Sequence, residues 1–242
     1  MMRDEQLHQV MLPNGTFKTT WRHRLDDVNE FSLPFIRGLS GPLRIMDVAA
    51  SSGSTTAEWR DQLSRSGIEF AITATDKAPF AYRLKIGPGI TALVDSNRNP
   101  LYFTLFGHGV SPRIKGLKAP AKLFLRAILK ANRSPLSAKI QLTDDLPVVE
   151  DDLLSPNRAD WVGAFHVIRA ANILNRAYFN DASIRHILTV LRERLNPDGL
   201  LIVVRTREDD NRNDASIIRG SEVIARLNGG SEIEDLIRRS ND

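Results

Sequence analysis

Apolar positions along this chain alternate between two periods, and the changes of period divide it into helices and strands. From Trp21 to Gly38 the residues Leu25, Val28, Phe31 and Phe35 recur at helical spacing, with Pro34 interrupting them. Gly41-Pro42 punctuates, and Leu43 to Val48 then reads as a buried strand. Thr55 to Arg65 is predicted to be a helix with Ala57, Trp59 and Leu63 on its apolar side, closed by Ser66-Gly67. A second strand covers Glu69 to Thr75 and ends in Asp76. Strand, helix and strand in so short a span make a βαβ unit, which requires parallel strands.

Residues 81–144 break this rhythm. Gly87-Pro-Gly, Asn97-Arg-Asn-Pro, Gly107-His-Gly and Ser134-Pro mark turns around two strand-like runs, Thr91–Val94 and Leu101–Phe106, and a basic segment follows from Lys118 to Ala131. The α/β pattern then resumes. Strands are predicted at Pro147–Glu150, Trp161–Val167 and Leu200–Arg205, helices from Ala170 and from Asp181, and a turn at Asn196-Pro-Asp-Gly199. Period alone leaves Ala215–Leu227 open between a helix and a hairpin turning at Gly220-Ser221. The β-branched Ile217, Ile218, Val223 and Ile224 favour the hairpin. Ser231-Glu-Ile-Glu234 has capping-box spacing, so a short final helix is expected.

Chemistry concentrates at the ends of three strands. Asp47 closes the first, and Val48-Ala-Ala-Ser-Ser-Gly-Ser leads from it into the helix. Small residues at a strand-to-helix turn let backbone approach a ligand, and the helix N-terminus behind them offers unpaired N–H groups. Tight packing of a helix on a strand asks for the same small residues. Asp76, with the adjoining Lys77, ends the second strand, where a carboxylate can accept both hydroxyls of a ribose. It could instead cap a helix beginning near Ala78. Val148-Val-Glu-Asp-Asp-Leu-Leu154 ends the third. There Asp152 could accept from an adenine amino group while Leu153 packs on the ring, or the segment could be a solvated acidic turn.

Composition narrows the field. The 242 residues, 42% hydrophobic and 26% charged, suit a globular protein with a substantial core, as one large α/β domain or two small ones. No run approaches the roughly 18 apolar residues of a membrane span, and the start MMRDEQLHQ does not read as a signal peptide. Residues 1–20 read as a polar arm. With no cysteine, disulfides, thiolate zinc sites and a thiol nucleophile are all excluded, and a cytoplasmic location is expected. His8, His23, His108, His166 and His186 show no paired metal-ligand spacing, so no metal is expected. The net charge of +4 hides an asymmetry. Residues 96–143 hold nine Lys or Arg and no acid, leaving 24 basic against 29 acidic residues elsewhere.

Taken in order, these segments resemble the class I S-adenosylmethionine-dependent methyltransferases. Asp47-Val-Ala49-Ala-Ser51-Ser-Gly53 is similar to the family's Asp-x-Gly-x-Gly-x-Gly loop, keeping only its last glycine. That form resembles the chemotaxis-receptor methyltransferases, as does Ile168-Arg169-Ala-Ala-Asn172-Ile-Leu-Asn175-Arg-Ala-Tyr178-Phe179. Leu195-Asn-Pro-Asp-Gly199 resembles the family's Leu-x-Pro-Gly-Gly turn before its fifth strand. The resemblance covers residues 40–80 and 145–207. It implies one α/β domain doubly wound on a mostly parallel, seven-stranded Rossmann-like sheet, closed by a hairpin at 215–227, with the insertion 81–144 as a lid. Leu43–Val48 must then lie beside Trp161–Val167, because the cofactor crevice requires it.

The resemblance also implies roles. Asp47 reaches the methionine end of S-adenosylmethionine, backbone at Ala49, Ser51 and Gly53 lines it, and Asp76 with Lys77 holds the ribose. Asp152 and Leu153 hold adenine, while Arg169 and Asn172 face the transferred methyl and its acceptor. His166 is the one histidine near that rim, as a candidate base or as a core histidine. The expected reaction is methyl transfer to oxygen or nitrogen of a small or lipid-like, anionic acceptor. The alternative is a non-catalytic cofactor-binding or interaction protein, suggested by the two lost glycines.

Within the insertion, Lys122-Leu-Phe-Leu-Arg126-Ala-Ile-Leu-Lys130 spaces its charges by four. A packed surface helix, peripheral membrane contact through 118–131 and recognition of an acidic acceptor all fit it. Nucleic acid is the weakest partner, because Tyr102, Phe103, Phe106 and Phe124 read as buried. Cytosine C5 methylation needs a thiol that this chain lacks, and the chain has no Asn-Pro-Pro-Tyr motif for amino methylation of bases.

Overall fold

The computed structural model describes residues 22–51, 53–77, 79–94, 98, 100–105, 108–110, 129, 131–132, 137–141 and 146–238. The chain divides into two compact units: one joins Arg22–Lys77 to Asp145–Asp242, and the other takes in Ala78–Asp144. In chain order the elements are α1 (Asp26–Arg37), β1 (Leu43–Val48), α2 (Ser54–Arg65) and β2 (Phe70–Asp76), then β3 (Phe80–Gly87), β4 (Ile90–Val94), β5 (Pro100–Leu105), β6 (His108–Val110) and β7 (Ser137–Gln141). The first unit resumes with β8 (Val148–Glu150), β9 (Phe165–Ala171), α3 (Asp181–Arg194), β10 (Leu195–Thr206), β11 (Asn213–Arg219), β12 (Glu222–Leu227) and α4 (Glu234–Arg238).

The larger unit is built on one seven-stranded sheet of order β12-β11-β10-β9-β1-β2-β8. Strands β8, β2, β1, β9 and β10 run parallel, and β11 and β12 add the antiparallel hairpin expected at 215–227. β1 and β9 are neighbours, with Ile45 opposite Val167 and Asp47 opposite Arg169, as the crevice requires. Side chains alternate across the sheet. Met46, Val48, Ile168, Leu201 and Val203 pack with Ile184, Ile187 and Leu191 of α3 and Leu236 of α4. Ile45, Val167, Ile202 and Val204 pack on the other face with Val28 and Ile36 of α1 and Trp59 and Leu63 of α2. Helices therefore cover both faces, which makes the sheet doubly wound.

Several local expectations need correction. α1 runs through Pro34, whose missing N–H removes the bond to Glu30, an exposed residue. No helix starts at Ala170, because β9 continues to Ala171, pairing Ala170 with Val48 and Ala171 with Val204. Burial between two strands overrides the local helical preference of Ala170-Ala171. The strand also begins later than Trp161, which closes a 3-10 turn, and Gly163 follows at φ 63°. The turn at 196–199 is an irregularity inside β10, between the pairs Leu195–Phe165 and Leu200–Val167. Gly199 belongs there because a Cβ would stand 2.8 Å from Leu195 Cδ2 and 3.0 Å from the Asn196 carbonyl oxygen.

The smaller unit is an antiparallel sheet of order β6-β5-β4-β3-β7. β4 and β5 match the two strand-like runs of the insertion, with Phe106 outside the described residues. β3, not among the strands expected, shows the period-two alternation Phe80, Tyr82, Leu84, Ile86. Leu84, Ala92, Val94 and Leu129 form a buried cluster, with Tyr82 and Ile86 against it. The polar arm 1–20 and most of the basic segment, Lys122, Phe124, Arg126 and Lys130 included, lie outside the described residues.

Candidate functional site

Strand order reverses at β1: the chain goes from β1 out to β2 and β8 on one side, then returns to β9 and β10 on the other. A crevice forms outside the carboxyl ends of the strands at such a switch point. The loop leaving β1 there has three left-handed residues, Ala49 at φ 56°, Ser51 at 58° and Gly53 at 82°. The positions that resemble family glycines thus keep a glycine-like backbone although two of them carry a Cβ. Each such residue costs on the order of 1–2 kcal/mol, a strain that persists only where surrounding contacts impose it. Those contacts are present. Ala50 N–H donates to the Thr75 carbonyl at 2.8 Å, Gly53 N–H to the Ala50 carbonyl at 2.9 Å, and Ser51 N–H to Asp76 Oδ2 at 2.9 Å.

Asp76 is 7% exposed. The alternative role, capping a helix from near Ala78, finds no helix there, because Phe80–Gly87 is strand β3. Its carboxylate braces the loop instead. Beside it, Lys77 Nζ pairs with Asp152 Oδ2 at 2.6 Å, and Asp152 Oδ1 accepts from Leu154 N–H at 3.1 Å. Leu153 is buried in the core cluster with Val48 and Trp161. Asp151, which no local sequence signal marks, is gripped by Arg194 at 2.7 and 3.0 Å. Arg194 is fully buried, and its guanidinium also lies over the Trp161 ring at 4.7 Å. This ion pair fixes the acidic loop from beneath.

Asp47 and Arg169 meet each other. Arg169 Nε donates to Asp47 Oδ1 at 2.9 Å and Nη2 to Oδ2 at 2.6 Å, while Thr56 Oγ1 donates to the same Oδ2. Arg169 also donates to Asn29 Oδ1 at 2.7 Å and to the Thr55 carbonyl at 3.1 Å, and it stacks on Trp59 at 4.2 Å. Both partners of the ion pair are buried, at 1% and 2% exposure. The pair thus ties β1 to β9 and to the first turn of α2. Half-buried Arg24 stands nearby, its guanidinium pulled down to about 10 by burial and by the like charge of Arg169, against the opposing pull of Asp47 and Tyr178.

The rim beyond β9 is held by asparagines. Asn172, left-handed at φ 59°, accepts from Thr206 N–H at 2.6 Å and donates to Thr206 Oγ1 at 2.9 Å. Asn175 is fully buried, and its Oδ1 accepts from Ala177 and Tyr178 N–H at 3.1 and 3.2 Å. His166 is not brought to this rim. It is the second residue of β9, where its Nδ1 accepts from Arg44 N–H at 2.9 Å at the amino end of β1. Five residues of strand, about 16 Å, separate it from the end of β9. A cavity of about 730 Å³ likewise lies away from the crevice, lined by Val162, Arg192, Leu195, Pro197 and Ile218 at the amino end of β10.

Among the described residues no group of His, Asp and Glu could hold a metal ion, and no helix is long and apolar enough to cross a membrane. No protein-family model matches the chain, and no curated protein matches it. Solved structures do. The citrinin polyketide synthase CMeT domain is 19% identical with a TM-score of 0.41, over 76% of this chain and 35% of that one. The 1,6-didemethyltoxoflavin-N1-methyltransferase of Burkholderia thailandensis, with bound S-adenosylhomocysteine, is 12% identical with a TM-score of 0.41, over 89% and 66%. N-methyltransferase NodS of Bradyrhizobium japonicum WM9, also with S-adenosylhomocysteine, is 12% identical with a TM-score of 0.37, over 78% and 66%. The chain spans between 35% and 38% of the length of three of the solved structures it matches. Its own sheet order defines the class: a doubly wound α/β protein with its switch point between β1 and β9.

Proposed function

We propose that the chain binds S-adenosylmethionine in this crevice and transfers its methyl group to oxygen or nitrogen of a small or lipid-like acceptor. The observation that carries the reading is the β1 loop, where Ala49 and Ser51 hold left-handed backbone beside an acid at the end of β2. The donor set fits the group. Asp76 would accept from the ribose hydroxyls, backbone at Ala49, Ser51 and Gly53 would line the homocysteine portion, and Asp152 would accept from the adenine amino group. The cofactor, when bound, supplies an electrophilic methyl on a sulfonium.

The protein's own contribution is alignment and exclusion of water. Arg169, enclosed by Asp47, Asn29 and Trp59, acts by positioning the loop rather than by touching the acceptor. Asn172 and Asn175 hold the rim on which Tyr178 sits. The acid-free stretch 96–143 favours an acceptor with negative charge.

Calorimetry with S-adenosylmethionine and S-adenosylhomocysteine tests the reading. Binding of both, with methyl turnover in an acceptor screen, is expected. Failure of either to bind at millimolar concentration would refute it. Binding without turnover across oxygen and nitrogen acceptors would favour a non-catalytic cofactor-binding protein.

A further inference from the structure

Arg176 lies in the rim loop between β9 and α3, and its contacts run to α3 and to the C-terminal segment rather than to β1, β2 or β8. Its N–H donates to Glu232 Oε1 at 3.1 Å and its Nη1 to the Glu232 carbonyl at 2.7 Å. Nη2 reaches both oxygens of Asp235, at 3.0 and 2.8 Å, and Nε donates to Asp181 Oδ1 at 2.9 Å. A single exposed ion pair contributes little. Here Asp181 on α3, Asp235 on α4 and Glu232 just before α4 converge on one residue, and the bonds to the two aspartates are charge-assisted.

The segment that receives Arg176 is itself anchored. Glu234 accepts from Ser216 Oγ at 2.6 Å and from Arg226 Nη2 at 2.8 Å, and Ser231 N–H donates to Ser216 Oγ at 2.7 Å. Residues 231–235 therefore brace the hairpin β11–β12 against the rim loop. On the other side of that loop, Asn175 fixes the N–H groups of Ala177 and Tyr178, and Tyr178 is near enough to act on Arg24.

We propose that Arg176 is a positioning residue that couples the C-terminal segment 231–237 to the crevice rim, so that Tyr178 is held in register by a contact made outside the crevice. Its bearing on acceptor placement rests on the methyltransferase reading; the coupling itself does not.

The test is hydrogen exchange on the full chain carrying Arg176→Gln, with S-adenosylhomocysteine affinity measured alongside. Amides of 174–179 and of 231–237 are expected to exchange together about tenfold faster, while those of β1 stay unchanged. Asp235→Asn should reproduce the effect, the double variant should be no worse than either single one, and Arg176→Lys should restore part of the protection. S-adenosylhomocysteine affinity should move less than about twofold, because the contacts proposed for it, at residues 49–53, Asp76 and Asp152, follow β1, β2 and β8 rather than β9. Faster exchange in the rim alone, or no change in either segment, would overturn the coupling. Failure of the unaltered chain to bind S-adenosylhomocysteine would overturn the methyltransferase reading only, and the exchange result would still decide the coupling.

Discussion

Asp47→Ala is the most demanding test of how the crevice floor is held. The carboxylate accepts two charge-assisted bonds from Arg169 and one from Thr56, all out of solvent. Its loss leaves a guanidinium at 1% exposure with only Asn29, the Thr55 carbonyl and the Trp59 ring. Removing one partner of a buried pair costs about 3–5 kcal/mol, because the other charge stays desolvated. For a chain of this size each kcal/mol lowers Tm by about 2–4 °C, so a fall of about 6–20 °C is expected. Urea titration followed by tryptophan fluorescence gives the free energy directly, since Trp59 stacks on the pair. Arg169→Met alone should cost a comparable amount. The double variant should cost well under the sum, with a coupling of at least about 2 kcal/mol. A loss below about 1 kcal/mol for Asp47→Ala, or strict additivity, would refute the argument that these two charges stabilise each other.

Three further outcomes are expected. Asp76→Ala should weaken S-adenosylhomocysteine at least about tenfold in calorimetry, since buried charge-assisted bonds contribute roughly 1.5–3 kcal/mol each; an unchanged Kd would confine Asp76 to bracing Ser51. Gly199→Ala should destabilise by about 1–3 kcal/mol in the same urea titration, because its methyl would meet Leu195 and the Asn196 carbonyl. Replacing Lys122, Arg126 and Lys130 together by Gln should flatten the salt dependence of turnover with an anionic acceptor while leaving cofactor affinity unchanged. Unaltered salt dependence, with loss of sedimentation on anionic vesicles, would make the segment a membrane-surface element instead.

Much of the architecture is legible in the sequence. β1, α2 and β2 follow from short-range causes: an apolar run that ends in Asp47, small residues at the turn, and Trp59 and Leu63 on one helical face. The β11–β12 hairpin followed from β-branched residues around Gly220, which adopts φ 58°. Strand ends were less legible. Reading the fourth parallel strand as 161–167 instead of Phe165–Ala171 put a helix where Ala170 pairs with Val48. The same shift moved His166 towards the rim, when it lies at the strand's first turn of the pleat beside Arg44.

The pairing of charges could not be read at all, because it depends on register across long separations. Asp47 and Arg169 are 122 residues apart and meet only because β1 and β9 are parallel neighbours with those two residues opposite each other. Arg194 finds Asp151, and Arg176 finds Asp235, by the packing of α3 and the C-terminal segment. Periodicity, turn residues and small side chains act over a few positions, so the sequence alone determines elements and the chemistry each carries. Which carboxylate meets which guanidinium, and whether Ala49 and Ser51 accept a glycine's backbone, is decided by the tertiary contacts that make those arrangements the least costly ones.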